Sequence, residues 1–428
     1  MLKAMTLSDA IAVFDPRAPL EGEALREFYV PRPGSPLDLM EQELLSLHAS
    51  SVKVLFSGHT GSGKSTELNR LAEKLGAAYG SRYEVVPVNV NRYVSTLTYQ
   101  DIMLSLALAL FKRAGELEVV ARAPAQAVQD LLDRVRRFLY DRLFGLAALR
   151  VPSVQPAEIG AALKAGVAEL EAKYSLSPAS HENLQRYIDQ NLDELLGHLD
   201  DVAGLIWAQT RRKVLFTTEG TDKTDLARAR EIFLGHSYAL TAFRQASAIY
   251  SFPISLRHSS EWNQIKDAFG LQRSLPNFKL HDRDGKLNAD GYACLERIIT
   301  NRLAPERLAP DALKTLVTAS GGAVRFLIRM MRNAATRALA RGAALIEAED
   351  ARAAVGDELG DFIRMLRSDH YPVLWDRHRD KTLSSDPVHQ ELLQMSALLE
   401  YSNGHDPAWC DVHPILLPEV KKRTGHAG

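Results

Sequence analysis

Short apolar runs alternate along the chain with longer stretches in which apolar residues return every three or four positions, and this alternation predicts its elements. Val52 to Phe56 (VKVLF) reads as a buried strand, and Ser65 to Leu75, after a glycine-rich segment, as a helix. Tyr83 to Val90 is a second strand interrupted by Pro87, and Lys213 to Thr218 (KVLFTT) and Ala246 to Phe252 (ASAIYSF) are two more. Strands alternating with helices predict a parallel α/β sheet. Phe278 to Leu280 is expected to be its last strand. The stretch between the second and third strands has helical periodicity, notably in Ala125 to Leu146 and Asn183 to Ala208, and is too long for one crossover. It is read as a helical insertion over about 95–210. From Ala289 to Leu366 the pattern is wholly helical, with helix starts at Pro310-Asp311 and at Ile346 to Asp350. Residues 1–50 form an arm broken by Pro16, Pro19, Pro31, Pro33 and Pro36, ending in a helix over Asp38 to Leu47. A helix over Pro387 to Glu400 and a hairpin turning at Asn403-Gly404 close the chain. Four parts follow: an arm (1–50), a sheet domain (51–285), a helical lid (286–366) and a small C-terminal module (367–428).

Composition narrows the function classes. The 428 residues are 46% hydrophobic and 25% charged, close to a globular average, and 52 Lys+Arg against 53 Asp+Glu give a formal charge of -1. No whole-molecule basic field exists to hold a polyanion, so any such site must be local. Cys294 and Cys410 belong to no CxxC pair and read as packing residues in a reducing compartment. With no export signal and no apolar stretch of about 18 residues, a cytoplasmic location without a membrane span is expected.

Residues 58–65, GHTGSGKS, match the phosphate-loop pattern GxxxxGK[ST] in full, with a strand before and a helix after. Gly58, Gly61 and Gly63 let the backbone curl its N–H groups around phosphates, with His59, Thr60 and Ser62 between them. Lys64 meets the β/γ-phosphate charge, Ser65 ligates Mg²⁺, and Thr66 follows on the helix. The competing reading is a glycine-rich turn without ligand. Such a loop needs an acid at the end of a neighbouring strand. In KVLFTTEGTD, Glu219 follows the apolar run and Asp222 lies three residues on. One can face the metal while the other holds the attacking water or a metal-bound water. Solvated acids at a strand end are the alternative. Gly220 stands where a second acid is usual, which predicts slow hydrolysis.

With these segments in order, the chain resembles the AAA+ and STAND class of ATPases, near origin-recognition initiators and bacterial defence ATPases. Phe28-Tyr29-Val30-Pro31-Arg32 resembles the segment that wraps adenine in initiator-type members, which implies ATP contacts from Tyr29, Val30 and Arg32. Ser251, at a strand end, is similar in placement to the polar sensor of the γ-phosphate. Ser320-Gly321-Gly322-Ala323-Val324-Arg325 resembles the segment opening the lid helix, so Arg325 is implied as the second sensor. The resemblance covers about 25–360, with the insertion poorly matched. It implies a P-loop NTPase sheet with ATP and Mg²⁺ as cofactors, and a C-terminal module like a winged helix.

Arg325, Arg329, Arg332, Arg337 and Arg341 occur without an acid among them, and the first three share a helical face. Such a stripe suits phosphate, carboxylate or DNA, or else a solvated face with ion pairs. An arginine finger from a neighbouring subunit is expected of the class, with Arg228, Arg230, Arg257 and Arg273 as undistinguished candidates. His405, Cys410 and His413 lack a second ligand pair and read as packing or loop residues. Lys421-Lys422-Arg423 is the basic cluster of the tail, and duplex DNA is a weaker expectation than a protein partner. The resulting function is a slowly hydrolysing ATPase switch for self-assembly or effector activation, with an anti-phage role implied by the resemblance alone. A DNA-binding initiator or loader and a non-hydrolysing scaffold are the alternatives.

Overall fold

The computed structural model describes residues 3–77, 82–91, 96–117, 134, 138, 178–402 and 407–426. The arm contains α1 (Leu7–Val13), α2 (Gly22–Phe28) and α3 (Leu37–Ser46). Thr6 caps α1 with a reciprocal Asp9 contact, and α1 and α2 both form within the arm that the prolines break. Then come β1 (Lys53–Gly58), α4 (Lys64–Ala77), β2 (Tyr83–Asn89) and α5 (Tyr99–Glu116). After the undescribed part of the insertion follow α6 (Pro178–Gln190), α7 (Leu192–Thr210) and β3 (Lys213–Glu219). The helix expected over 125–146 lies outside the described residues apart from Arg134 and Phe138. Short helical turns lead to β4 (Ala246–Pro253), and α8 (Trp262–Phe269) to β5 (Gly270–Ser274).

All five strands are parallel, in the order β2-β3-β4-β1-β5. Alternate residues of the central strands face opposite layers. Val54, Phe56, Leu215 and Ile249 pack on α3 and α4, whereas Leu55, Val214, Phe216 and Tyr250 pack on the α5 and α7 side. Burial on both faces explains why these strands read as unbroken apolar runs.

The fifth strand corrects an expectation. Phe278 to Leu280 is not in the sheet; the edge strand is the polar GLQRS of β5. An edge strand half open to solvent needs no apolar run. Phe278 and Leu280 instead join the core of the helical lid, with the Phe278 N–H donating to the Gly322 carbonyl at 3.1 Å.

The lid comprises α9 (Ala289–Thr300), α10 (Pro310–Ala319), α11 (Val324–Ala340) and α12 (Ala348–Met365). The tail adds α13 (His370–Asp380), α14 (Pro387–Gln394), an antiparallel pair β6 (Leu398–Tyr401) and β7 (Trp409–Val412), and α15 (Leu417–Arg423). The helix expected to reach Glu400 therefore ends at Gln394. Ser396 has φ +61°, which turns the chain so that Leu398–Tyr401 can pair as a strand. Asn403, Gly404 and His405 lie outside the described residues. Arm, lid and tail share one core, in which Phe14, Leu327, Met331, Leu392 and Leu399 are all buried. No described helix is long and apolar enough to cross a membrane.

Candidate nucleotide site

Between β1 and α4 the loop 58–65 sits at the carboxyl end of the central strand, the usual place for a ligand on an open parallel sheet. Gly58, Gly61 and Gly63 all have positive φ. Because α4 begins at Lys64, its first N–H groups have no intrahelical acceptor and present a positive dipole end. The lid closes on the same loop: the backbone N–H of Arg325 donates to the Gly61 carbonyl at 3.1 Å, at the first turn of α11. A Cβ on Gly61, at φ +86°, would collide with the Arg325 side chain.

Lys64 is buried, and its ammonium lies 2.7 Å from an Asp222 oxygen, 2.8 Å from the Gly58 carbonyl and 2.9 Å from the His59 carbonyl. Asp222 thus faces Lys64 in the nucleotide-free chain. Glu219 ends β3, and its carboxylate lies beside Ser65. Burial raises its pKa above the ordinary carboxylate range, against the lowering effects of Ser65 and Lys223. The Ser65 hydroxyl and Glu219 carboxylate are therefore adjacent, and this hard oxygen pair fits Mg²⁺. Arg325 is half-buried; desolvation lowers its pKa, and Asp222 opposes that shift.

A cavity of about 280 Å³ joins these groups. Gly61, Gly63, Lys64, Ser65, Thr66, Glu219, Asp222, Ser251 and Arg325 line it, as do Tyr29, Val30 and Arg32. Gly58, His59, Thr60 and Ser62 do not. The His59 ring turns away and accepts from the Glu400 N–H of β6 at 2.8 Å, and Thr60 faces a second, smaller cavity beside Arg329. Any contact from these four would come through the backbone.

The arm residues are engaged with protein. Arg32 donates to the carbonyls of Ser62 and Pro276 and stacks over Phe278 at 4.1 Å, tying the loop to the segment after β5. Tyr29 bonds Glu67 at 3.1 Å and receives Arg70 at 2.7 Å. The Ser251 hydroxyl donates to the Thr218 carbonyl at 2.7 Å.

The arginine stripe of α11 meets carboxylates. Arg329 pairs with Glu358, Arg332 with Asp15 at 3.6 Å, Arg337 with Asp357 at 2.7 Å, and Arg341 with Glu347 and Asp350. Only Arg325 of the five lines the larger cavity. The finger candidates also have partners within the chain: Asp225 for Arg228, Glu261 for Arg230, Ser57 for Arg257 and Glu43 for Arg273.

Sequence reasoning missed Asn89, Asn91, Lys223 and Arg302, which also line the cavity. Lys223 directly follows Asp222 and bonds Asn91, so its position in the chain was a signal. Asn91 also explains Gly220. At φ +98°, a Cβ there would lie 2.9 Å from the Asn91 N–H nitrogen and side-chain oxygen. The missing second acid is thus built into the packing of β2 against β3.

The fold is a P-loop NTPase fold. No family model matches the sequence, and no curated protein matches it. Solved structures align over nearly the whole chain. Cdc6p from Pyrobaculum aerophilum is 13% identical, covering 99% of each chain at a TM-score of 0.41. The Aeropyrum pernix ORC1 protein in complex with DNA is 12% identical, covering 96% of each at 0.44. A Walker-type ATPase of Pyrococcus abyssi is 13% identical, covering 96% of this chain and 99% of that one at 0.44. The loop geometry and strand order carry the functional reading that follows.

Proposed function

We propose that the chain binds ATP with Mg²⁺, hydrolyses it slowly, and uses the exchange as a switch for self-assembly or for engaging an effector protein. One observation carries the reading: Lys64 is neutralised by Asp222 in a loop held at once by the sheet, the lid and the C-terminal module. A triphosphate entering this loop offers Lys64 stronger acceptors than Asp222 does and brings charge to Arg325, so binding must shift contacts in several parts of the molecule. Ser65 and Glu219 would hold the metal, which when bound neutralises charge on the β and γ oxygens. Asp222, freed from Lys64, can then orient water. Ser251 would need to turn from the Thr218 carbonyl to read the γ-phosphate, and Arg325 would read it from the lid.

Steady-state ATP turnover, with sizing in the presence and absence of nucleotide, tests the scheme. Lys64→Ala and Glu219→Gln are expected to lose at least about 100-fold of the turnover, and ATP to change the size of wild type. Turnover that survives Lys64→Ala would refute the site. A second reading, the non-hydrolysing scaffold, is favoured by the packing that forces glycine at 220. ATP binding without measurable turnover would select it. For DNA binding the tail offers less: Arg367 pairs with Glu391, Arg377 with Asp380 and Arg423 with Glu419, which reduces the cations available to phosphates. Plaque assays with Lys64→Ala test the anti-phage role, which stays part of this proposal.

A further inference from the structure

Arg302, just past the end of α9, is 6% exposed and lines the nucleotide cavity on its arm-and-lid side. One of its N–H groups donates to the Ile298 carbonyl at 2.6 Å, capping the helix end, and its guanidinium lies 5.3 Å from the centre of the Phe28 ring. Among the described residues no carboxylate lies within ion-pair distance. A guanidinium carries five donors and does not readily release its proton. Burying it with one hydrogen bond is unfavourable unless a ligand supplies acceptors. The surroundings describe that ligand. Val13, Phe28, Val30, Ile298 and Ile328 form an apolar slot around it, whereas Lys64 and Arg325 mark the phosphate end. A flat, neutral heteroaromatic with ring-nitrogen acceptors suits an apolar slot with one donor group.

We infer that Arg302 is a specificity-determining residue that donates to a ring nitrogen of the purine base, N1 or N7, and anchors the base while the loop anchors the phosphates. The inference rests on the nucleotide reading and adds to it the group that recognises the base. The hydrogen bond from Nη1 to the Ile298 carbonyl holds one edge of the Arg302 guanidinium beside the Phe28 ring, so the head group is positioned before ligand arrives.

Binding of inorganic tripolyphosphate, ATP, 1-deaza-ATP and 7-deaza-ATP to the full chain tests this, on wild type, Arg302→Met and Arg302→Lys. Wild type should bind one of the deaza analogues about 10- to 100-fold more weakly than ATP, the range of a buried hydrogen bond to a charged group. The affected analogue assigns N1 or N7. Arg302→Met should weaken ATP by a similar factor, treat all three nucleotides alike, and bind tripolyphosphate as wild type does. If Arg302→Met does not fold, Arg302→Lys, which keeps the charge but not the fork, should show a reduced deaza penalty. Wild type binding both analogues as tightly as ATP, or either foldable variant keeping the full deaza penalty, would overturn the inference. Absence of binding by tripolyphosphate and ATP alike to wild type would instead sink the nucleotide reading, and this inference with it.

Discussion

The Lys64–Asp222 pair is the most consequential contact at residue scale. Both side chains are about 6% exposed, so neither is well solvated, and the pair leaves the lysine satisfied without a phosphate. Removing one partner of a buried pair leaves an unpaired charge and costs about 3 kcal/mol or more. Asp222→Ala should therefore lower the thermal midpoint in the absence of nucleotide. Saturating ATP should restore much of that loss, giving a larger ligand-induced shift than in wild type. Equal shifts in the two proteins would mean that Asp222 and the phosphates do not compete for Lys64. Glu219 adds a pH dependence. Its raised pKa means that it takes up a proton at higher pH than an ordinary carboxylate, so its metal-holding form is lost as pH falls through that value. The loop motif, Lys64, Ser65 and Glu219 were legible because each is fixed by local spacing. The engagement of Arg32 and Tyr29 with protein was not, because their partners Pro276, Ser62 and Glu67 are set by tertiary packing.

Among the elements, the strand β7 and the lid helices α11 and α12 meet at a buried histidine. His413 follows β7, its ring lies 4.7 Å from Phe326 and 5.0 Å from Phe362, and neither ring nitrogen has a hydrogen-bond partner. Burial pushes its pKa down to about 3, with His59 and Arg329 acting in the same direction. Unfolded, the ring takes up a proton near pH 6.5; folded, only near 3. This group therefore removes stability as pH falls from about 6.5, at about 1.4 kcal/mol per unit, until the folded form also protonates. His413→Phe should flatten the dependence of urea stability on pH between about 6.5 and 4.5 by about that slope. An unchanged slope would contradict the assignment. His59 and His389, both pushed down to about 4 mainly by burial, leave a residual slope of the same sign.

For the whole molecule, the tail is joined to the phosphate loop as well as to the lid. The Glu400 N–H donates to His59 Nε2, the Glu400 carboxylate pairs with His258, and the Tyr401 hydroxyl donates to the Gly321 carbonyl at 2.6 Å. His59→Ala should therefore speed hydrogen exchange in 398–401 of the nucleotide-free protein, while the sheet strands stay protected. Exchange there as slow as in wild type would mean that the loop does not hold the module. In this arrangement the charge neutrality of the chain is local pairing: the α11 arginines meet Asp15, Glu358, Asp357, Glu347 and Asp350, and Arg325 is left to the cavity.

By itself the sequence determined the central strands, the phosphate loop, the acid after β3 and the helical lid. Each of these is written in short-range periodicity or spacing, which local backbone physics dictates. Tertiary structure alone decided that polar 270–274, not apolar 278–280, forms the edge strand, and that Leu398–Tyr401 pairs as β6 instead of extending a helix. It also decided that Asp222 neutralises Lys64 and that Arg302 reaches the cavity. These outcomes turn on which side chains share a desolvated volume, and residues brought together from positions as distant as 59 and 400 leave no mark in the spacing of either segment.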